Sequence, residues 1–178
     1  RGPRRDDHDE PRRPLTRLAA EPPPPPPAVP PGPYPAAFEA LGFSSAVLAG
    51  VRDMGYETPT EIQVKAASIV IAGKDLIGAS QTGTGKTAAF GMPAMTRLGA
   101  PGKLRCLILE PTRELAAQVV EHFGRLGVHT GLRTLLVHGG VGYGTQREGL
   151  ERGVDIVVAT PGRLLDFMGD GTVNLDTI

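Results

Sequence analysis

The chain has 178 residues, of which 40% are apolar and 21% charged, a balance typical of a globular domain with a sizeable core. Its 19 Lys and Arg side chains balance 19 Asp and Glu, so the net charge of zero excludes a general attraction to nucleic acid. Any affinity for nucleic acid must therefore come from positively charged side chains clustered at one place on the surface. The single cysteine, Cys106, excludes an intrachain disulfide framework and a cysteine-based zinc site.

Cys106 lies in an apolar run, which predicts a buried and inert thiol. One cysteine fits a reducing compartment, and no apolar stretch approaches the roughly 20 residues of a membrane span. The first residues also lack the apolar segment of a signal peptide. We therefore expect a cytoplasmic protein without a membrane partner, and no feature indicates its oligomeric state.

Residues 1–35 differ in composition from the rest of the chain. Arginines alternate with acids, and six prolines follow at positions 22–27. Because proline removes a backbone donor and favours the polyproline II conformation, we predict a disordered tail without a core. A linker is the favoured interpretation, and an RNA-binding arm or a docking site for a proline-recognising partner are the alternatives.

Helical and strand patterns alternate over residues 36–178, which we predict to form one domain. The predicted helices begin at Ser44 or Ser45, at Thr60 and at about Lys86, and then span about 113–126, 144–152 and 162–168. The predicted strands are 75–79, 104–109, 133–137 and 155–159. The run at 104–109 is typical of a strand covered on both faces. The inner face of the helix over 113–126 is assigned to Leu115, Val119, Phe123 and Leu126. Strands that alternate with helices predict an α/β fold with a parallel sheet.

A glycine-rich segment lies between a predicted strand and a predicted helix, the context that identifies a phosphate-binding loop. It consists of Ser80, Gln81, Thr82, Gly83, Thr84, Gly85, Lys86 and Thr87. Its glycines let backbone N–H groups face phosphate oxygens. We expect the catalytic groups to be Lys86, which reaches the β and γ phosphates, and Thr87, which can bind Mg²⁺. Ser80 stands where the general pattern has glycine. The loop alone does not distinguish a kinase, GTPase, motor or helicase.

Further segments flank this loop in a definite order. They are residues 55–63, with Phe38 17 positions before Gly55, and residues 111–118, 138–140 and 160–164. Together with the loop they resemble the Q motif, motif I, motif Ia, the GG motif and motif Ib of DEAD-box RNA helicases. Ser80 also fits, because motif I of this family carries a small residue there. The resemblance covers about Phe38 to the C-terminus. It implies a RecA-like fold, ATP and Mg²⁺ as cofactors, and ATP-driven unwinding of short RNA duplexes.

The upstream segment carries the residues that the resemblance assigns to the nucleotide. Gln63 has an amide that can donate and accept at once, as the adenine edge requires. The resemblance implies that Phe38 stacks on the base and that Tyr56 also contacts the nucleotide. Two alternatives remain open: Thr60 and Gln63 fit a helix capping box, and Phe38 fits a core position.

The downstream segments follow predicted parallel strands, at the edge where open α/β sheets bind ligands. The resemblance implies that they hold RNA phosphates and 2′-hydroxyls without reading sequence. The residues so assigned are Pro111, Thr112, Arg113, Gly139, Gly140, Thr160, Pro161, Gly162 and Arg163. Simple helix capping by Thr112 and Thr160, and a solvated charge at Arg163, are the alternatives. We expect His138 to serve packing or polar support.

The DEAD-box pattern continues with a strand ending in Asp-Glu-Ala-Asp, which should begin where residue 178 stands. We therefore expect these residues to contact nucleotide and RNA without hydrolysing ATP, and a second RecA-like domain to be their partner. In the family's sheet the next strands separate the phosphate-loop strand from the others, so we predict that this chain alone folds poorly. A DNA helicase, another phosphate-loop ATPase and a non-catalytic binding protein are the alternative functions.

Overall fold

The computed structural model describes residues 25–178. Helices and strands alternate within that range, as predicted for an α/β domain. In chain order they are α1 Ala36–Glu39, α2 Ser45–Asp53, α3 Glu61–Ile71, α4 Lys86–Leu98, β1 Cys106–Leu109, α5 Arg113–Leu126, β2 Thr134–Val137, α6 Gly144–Glu151, β3 Ile156–Ala159 and α7 Pro161–Gly169. Among the described residues, no helix combines the length and apolar character needed to cross a bilayer.

The strands form one parallel sheet in the order β1-β3-β2, which confirms the predicted sheet type. Leu109 and Val137 both pair with Ala159, so the three strands end at the same level. Strand β3 lies in the middle and is buried along its whole length. Strand β1 lies at an edge of the sheet and is only partly buried, although Cys106 and Ile108 pack against the apolar cluster on one face and Leu107 against the cluster on the other. Cys106 in β1 is half-buried, and burial raises the pKa of its thiol.

Helices cover both faces of the sheet because strand side chains alternate in direction. Ile156 and Val158 face a large cluster formed with α2, α4 and α5. Val157 and Ala159 face a smaller cluster on the other side, which includes Phe167 of α7. The central strand therefore joins two apolar layers, and its carboxyl end is fixed from both sides.

Helix α5 shows how local sequence determines these elements. Thr112 caps it, since its hydroxyl oxygen accepts a hydrogen bond from the backbone N–H of Leu115 at 3.3 Å. The buried residues recur at helical spacing and are Ala116, Val119, Phe123 and Leu126. The prediction that Leu115 belongs to this inner face was wrong, because Leu115 lies in the first turn and borders an open cleft.

Residues 75–79 do not form the predicted strand. An extended segment becomes a strand only when a neighbour supplies hydrogen bonds, and no segment among residues 25–178 pairs with this one. Ile77 is 100% exposed as a consequence. An apolar side chain in that position favours the expectation that the chain alone folds poorly, which stays a prediction.

The end of the proline-rich segment lies against helix α2. Residues 1–24 of the predicted tail lie outside the described residues, and residues 25–35 contain no helix or strand. The Arg52 guanidinium donates to the Pro31 carbonyl at 2.9 Å and lies 5.7 Å from the centre of the Tyr34 ring. The Tyr34 hydroxyl donates to the Pro30 carbonyl at 2.8 Å. The segment also approaches the domain at Pro26, whose Cα would lie 3.1 Å from a Cβ built at Gly131.

A buried carboxylate stabilises the amino-terminal end of the sheet, where the strands begin. Asp155 has no exposed surface. It accepts hydrogen bonds from the backbone N–H groups of Gly102 at 2.6 Å and Arg133 at 2.9 Å. The guanidinium groups of Arg105 and Arg133 each lie 3.9 Å from its oxygens. The loops before β1 and β2 are therefore both attached to the residue that precedes β3.

Replacing Asp155 with alanine should lower the free energy of unfolding by about 3 kcal/mol, because two backbone donors lose their acceptor in a buried place. The variant Asp155→Asn keeps one acceptor oxygen and should lose less. Urea unfolding followed by circular dichroism, in the longest natural protein that carries this sequence, would measure both. An Asp155→Ala protein as stable as Asp176→Ala, a change at an exposed acid, would contradict this role.

Candidate functional site

The predicted phosphate loop, residues 80–87, forms a tight turn that leads into helix α4. Gly83 and Gly85 have φ angles of 81° and 84°, in the left-handed region that glycine adopts without strain. Gly85 is the N-cap residue that immediately precedes α4, so the free N–H groups of the first helical turn face the loop. Unsatisfied N–H groups and the positive end of a helix dipole favour an anion at this position.

The Lys86 ammonium lies inside this loop. Its Nζ donates to the backbone carbonyls of Ser80 at 2.7 Å and Gln81 at 2.6 Å. The hydroxyls of Ser80 and Thr84 are 2.6 Å apart, and Thr84 also donates to the Gln81 carbonyl. A phosphate group that binds Lys86 must therefore compete with two carbonyl oxygens of the loop itself.

Thr87, the next residue, borders a cleft between α3, α4 and α5. The cleft has a volume of about 450 Å³, and Lys86 and Glu110 also line it. A neutral hydroxyl can bind a divalent cation only together with other oxygen ligands. Thr87 therefore fits a cation whose remaining ligands come largely from water and a bound phosphate.

Gln63 connects the start of helix α3 to the phosphate loop. Its side chain is 4% exposed, its Oε1 accepts from the Thr60 N–H at 3.0 Å, and its Nε2 donates to the Gly85 carbonyl at 3.3 Å. The Thr60 hydroxyl donates to the Thr84 carbonyl at 2.9 Å. The capping alternative accounts for the bond to Thr60, while the bond to Gly85 joins the predicted adenine-binding residue to the predicted phosphate-binding loop.

The two aromatic residues assigned to the nucleotide pack on each other. Phe38 is 0% exposed and belongs to the main apolar cluster, as the core alternative predicts. Its ring is stacked on that of Tyr56, with centroids 6.4 Å apart. Tyr56 is half-buried, so it is the member of this pair that reaches the surface. In this conformation the Phe38 ring has no surface open to a base.

The three strands end at one edge, which we call the carboxyl rim: residues 110–113, 138–140 and 160–163. The structure brings together the segments that the sequence assigned to RNA, because these segments directly follow strands that end in register. Thr112 serves as a cap, in line with its alternative role, whereas the Thr160 side chain makes no capping hydrogen bond. Pro161 occupies the first helical position, where its missing N–H is harmless.

The rim arginines differ in exposure. Arg113 is largely exposed, and its guanidinium lies so close to Gly140 that a Cβ built there would overlap Nη1. Gly140 also has a φ of 83°, so the backbone angle requires glycine, and a side chain there would displace the Arg113 guanidinium. Arg163 is buried, and its Nη2 donates to the Val141 carbonyl at 2.9 Å. The solvated alternative for Arg163 is therefore wrong, because the side chain packs inside the domain.

Comparison with known proteins identifies the family. The model of the DEAD/DEAH box helicase family matches residues 60–178. The chain belongs to this family. Among its curated relatives, the ATP-dependent RNA helicase DeaD of Mycobacterium tuberculosis is 43% identical over 145 residues, which cover 80% of this chain and 26% of the relative. The DEAD-box ATP-dependent RNA helicase 52A of Oryza sativa is 44% identical over 158 residues, covering 79% and 26%.

Solved structures of DEAD-box proteins share the fold of this chain. A DEAD box protein from the hyperthermophile Methanococcus jannaschii superposes with a TM-score of 0.75 and 34% identity, covering 80% of this chain and 39% of that one. A hypothetical ATP-dependent RNA helicase from Sulfolobus tokodaii gives a TM-score of 0.70 and 36% identity, covering 76% and 39%. The chain spans about a quarter of the length of the curated relatives named above and is part of the first RecA-like domain.

Sequence reasoning missed one residue of this DEAD-box site. Gln146 in α6 is buried, its Oε1 accepts from the His138 N–H at 2.9 Å, and its Nε2 donates to the carbonyls of His138 and Gly142, both at 3.2 Å. It thereby holds both ends of the glycine loop, residues 139–142. A glutamine in the first turn of the helix that follows a glycine-rich loop is the signal that could have revealed it.

Proposed function

We propose that the protein carrying this chain is an ATP-dependent RNA helicase, and that this chain supplies its phosphate loop and part of its RNA-binding edge. The observation that carries the proposal is the bond from Gln63 to Gly85. It makes the residue suited to adenine and the loop suited to phosphate a single hydrogen-bonded unit. Binding of adenine at Gln63 can therefore change the conformation of the phosphate loop, and binding of phosphate can change the position of Gln63.

For the nucleotide, the phosphate loop supplies backbone N–H groups and Lys86 supplies the charge that meets the β and γ phosphates. Thr87 would bind Mg²⁺ together with phosphate oxygens, and the ion would neutralise charge on the phosphates. The Gln63 amide meets the adenine edge by exchanging one of its internal partners. Tyr56 contacts the adenine base. Phe38 contacts the adenine only after the Phe38 ring moves out of the core.

For RNA, the carboxyl rim offers the groups that a sugar-phosphate backbone requires. Arg113 places an exposed guanidinium beside the close-approaching backbone of Gly140. The Thr160 hydroxyl is free of a capping bond within the described residues. The remaining rim positions assigned to RNA are Pro111, Thr112, Gly139, Pro161 and Gly162, together with Arg163, whose buried guanidinium faces the backbone carbonyl of Val141. None of these groups reads a base edge, so binding is independent of sequence.

Hydrolysis and unwinding need groups beyond these 178 residues, which contain no Asp-Glu-Ala-Asp sequence. We propose that residues 36–178 belong to the first RecA-like domain, that residues 1–35 are an appended tail, and that a second RecA-like domain completes the enzyme. ATP and RNA bound between the two domains would draw them together and strain the duplex. A reducing cytoplasm is the compartment that the single thiol favours.

The proposal is tested by ATPase measurements on the longest natural protein that carries this sequence. We expect single-stranded RNA to stimulate ATP hydrolysis by about tenfold or more, since closing the site on both ligands assembles the catalytic groups. DNA of the same sequence should stimulate much less, because it lacks the 2′-hydroxyl. Equal stimulation by DNA would favour a DNA helicase, and no stimulation by either would contradict the proposal.

A further inference from the structure

Tyr143 and Arg163 form a stacked pair behind the glycine loop, residues 139–142. The guanidinium carbon of Arg163 lies 3.8 Å from the centre of the Tyr143 ring. The Tyr143 hydroxyl donates to Asp166 at 2.8 Å, and the ring meets Phe167 edge-on with centroids 5.6 Å apart. One tyrosine at the start of α6 is thus attached to three side chains of α7.

Arg163 is directed at the backbone of the loop rather than at solvent. Its side chain is 5% exposed, and Nη2 donates to the Val141 carbonyl at 2.9 Å. In the part of the chain that the structure describes, Nε and Nη1 have no hydrogen-bond partner, and a carboxylate oxygen of Asp166 is 3.8 Å from Nε. A buried charge needs compensation, and the face of an aromatic ring attracts a desolvated cation stacked on it. Tyr143 therefore stabilises Arg163 in its buried position.

The glycine loop depends on such contacts because its own sequence does not restrict it. Three of its four residues are glycines, which allow many backbone conformations. Arg163 holds the carbonyl of Val141, and Gln146 holds the carbonyl of Gly142. Loop N–H groups that are fixed before the ligand arrives bind phosphate more tightly, because less ordering entropy is lost on binding.

We propose that Tyr143 and Arg163 act as one clamp that positions the glycine loop for RNA, and that Arg163 acts on RNA through this clamp without touching phosphate. The inference rests on the proposed binding of RNA at the carboxyl rim. Both are positioning residues: Arg163 holds the loop carbonyl, and Tyr143 holds Arg163. Tyr143 is 46% exposed, so its substitution can be tested without opening the core.

Salt dependence separates a clamp from a phosphate contact. Removing an arginine that binds phosphate lowers the slope of log affinity against log salt by about 0.7–0.9, because one counterion fewer is released. We expect Arg163→Leu and Tyr143→Leu each to weaken binding of a single-stranded RNA oligonucleotide by about tenfold with the slope unchanged. The double variant should bind no more weakly than either single one. Tyr143→Phe keeps the ring and should bind nearly as well as the unmodified protein.

The matched control is Arg152→Leu, which removes the same charge from a side chain that is 76% exposed at the other end of α6. It should leave RNA affinity unchanged at moderate salt. All variants are made in the longest natural protein that carries this sequence, and ATP affinity is measured in each to verify that the domain is folded. A salt slope lowered by about one in Arg163→Leu, or additive losses in the double variant, would overturn the clamp.

Hydrogen exchange provides a readout that does not need RNA. The amides of residues 139–142 should exchange faster in Arg163→Leu and Tyr143→Leu than in Tyr143→Phe or the unmodified protein, because the loop is released. Unchanged exchange would overturn the clamp even if RNA binding falls. A protein that binds ATP but no RNA, with faster exchange in both leucine variants, would overturn the proposed RNA function and leave the clamp as a structural support.

Discussion

Replacing Lys86 with alanine should reduce ATP affinity by about 100-fold or more. The ammonium is the only charged group that the phosphate loop itself contributes, and hydrogen bonds to charged groups are worth about 1.5–3 kcal/mol each. The same Nζ also holds the loop carbonyls of Ser80 and Gln81. Alanine would therefore remove both the contact with the phosphates and the contacts that shape the loop.

Titration calorimetry with ATP and Mg²⁺ on the longest natural protein that carries this sequence would measure the effect. Lys65→Ala is the matched control, since Lys65 is an exposed lysine on α3 that forms a helical ion pair with Glu61. Surface pairs of this kind contribute little, so this variant should bind ATP normally. Undiminished ATP binding by Lys86→Ala would overturn the assignment of the loop.

Sequence alone predicted the elements whose cause is local. The capping residue and apolar spacing of α5 predicted its bounds as they are found, and the glycine-rich residues 80–87 predicted a tight turn that leads into a helix at Lys86. The register of the strand ends follows from a parallel sheet, so the segments of the carboxyl rim could be expected to meet. These predictions succeeded because a helix period or a turn requires only neighbouring residues.

The features that were not predicted have a different physical origin, since they depend on contacts between residues that are distant in the sequence. Residues 75–79 have the composition of a strand, but only a hydrogen-bonding neighbour would make them one. The apolar run at 104–109 did not indicate that β1 lies at an edge of the sheet, where its residues are only partly buried. The burial of Arg163 was not predicted, because its stacking on Tyr143 joins two residues 20 positions apart in the sequence.

The second large effect is expected for Gly85→Ala, which should lower ATP affinity by about 10- to 100-fold. A left-handed φ of 84° costs a residue with a side chain about 1–2 kcal/mol. In addition, a Cβ at this position would lie 2.5 Å from Nε2 of Gln63. Because that nitrogen donates to the Gly85 carbonyl, alanine would force the amide away and break the hydrogen bond between Gln63 and the phosphate loop.

Gly83→Ala separates these two causes. Its φ of 81° is nearly the same, but a Cβ there would meet no atom within 4 Å among the described residues. Gly83→Ala therefore carries the backbone cost alone, and the difference in ATP affinity between the two variants measures the contact between Gln63 and the loop. If the two variants lose the same affinity, Gln63 does not couple the start of α3 to the phosphate loop. If Gly85→Ala loses more, the excess should disappear in a Gln63→Ala background, where the side chain that Cβ would displace is absent.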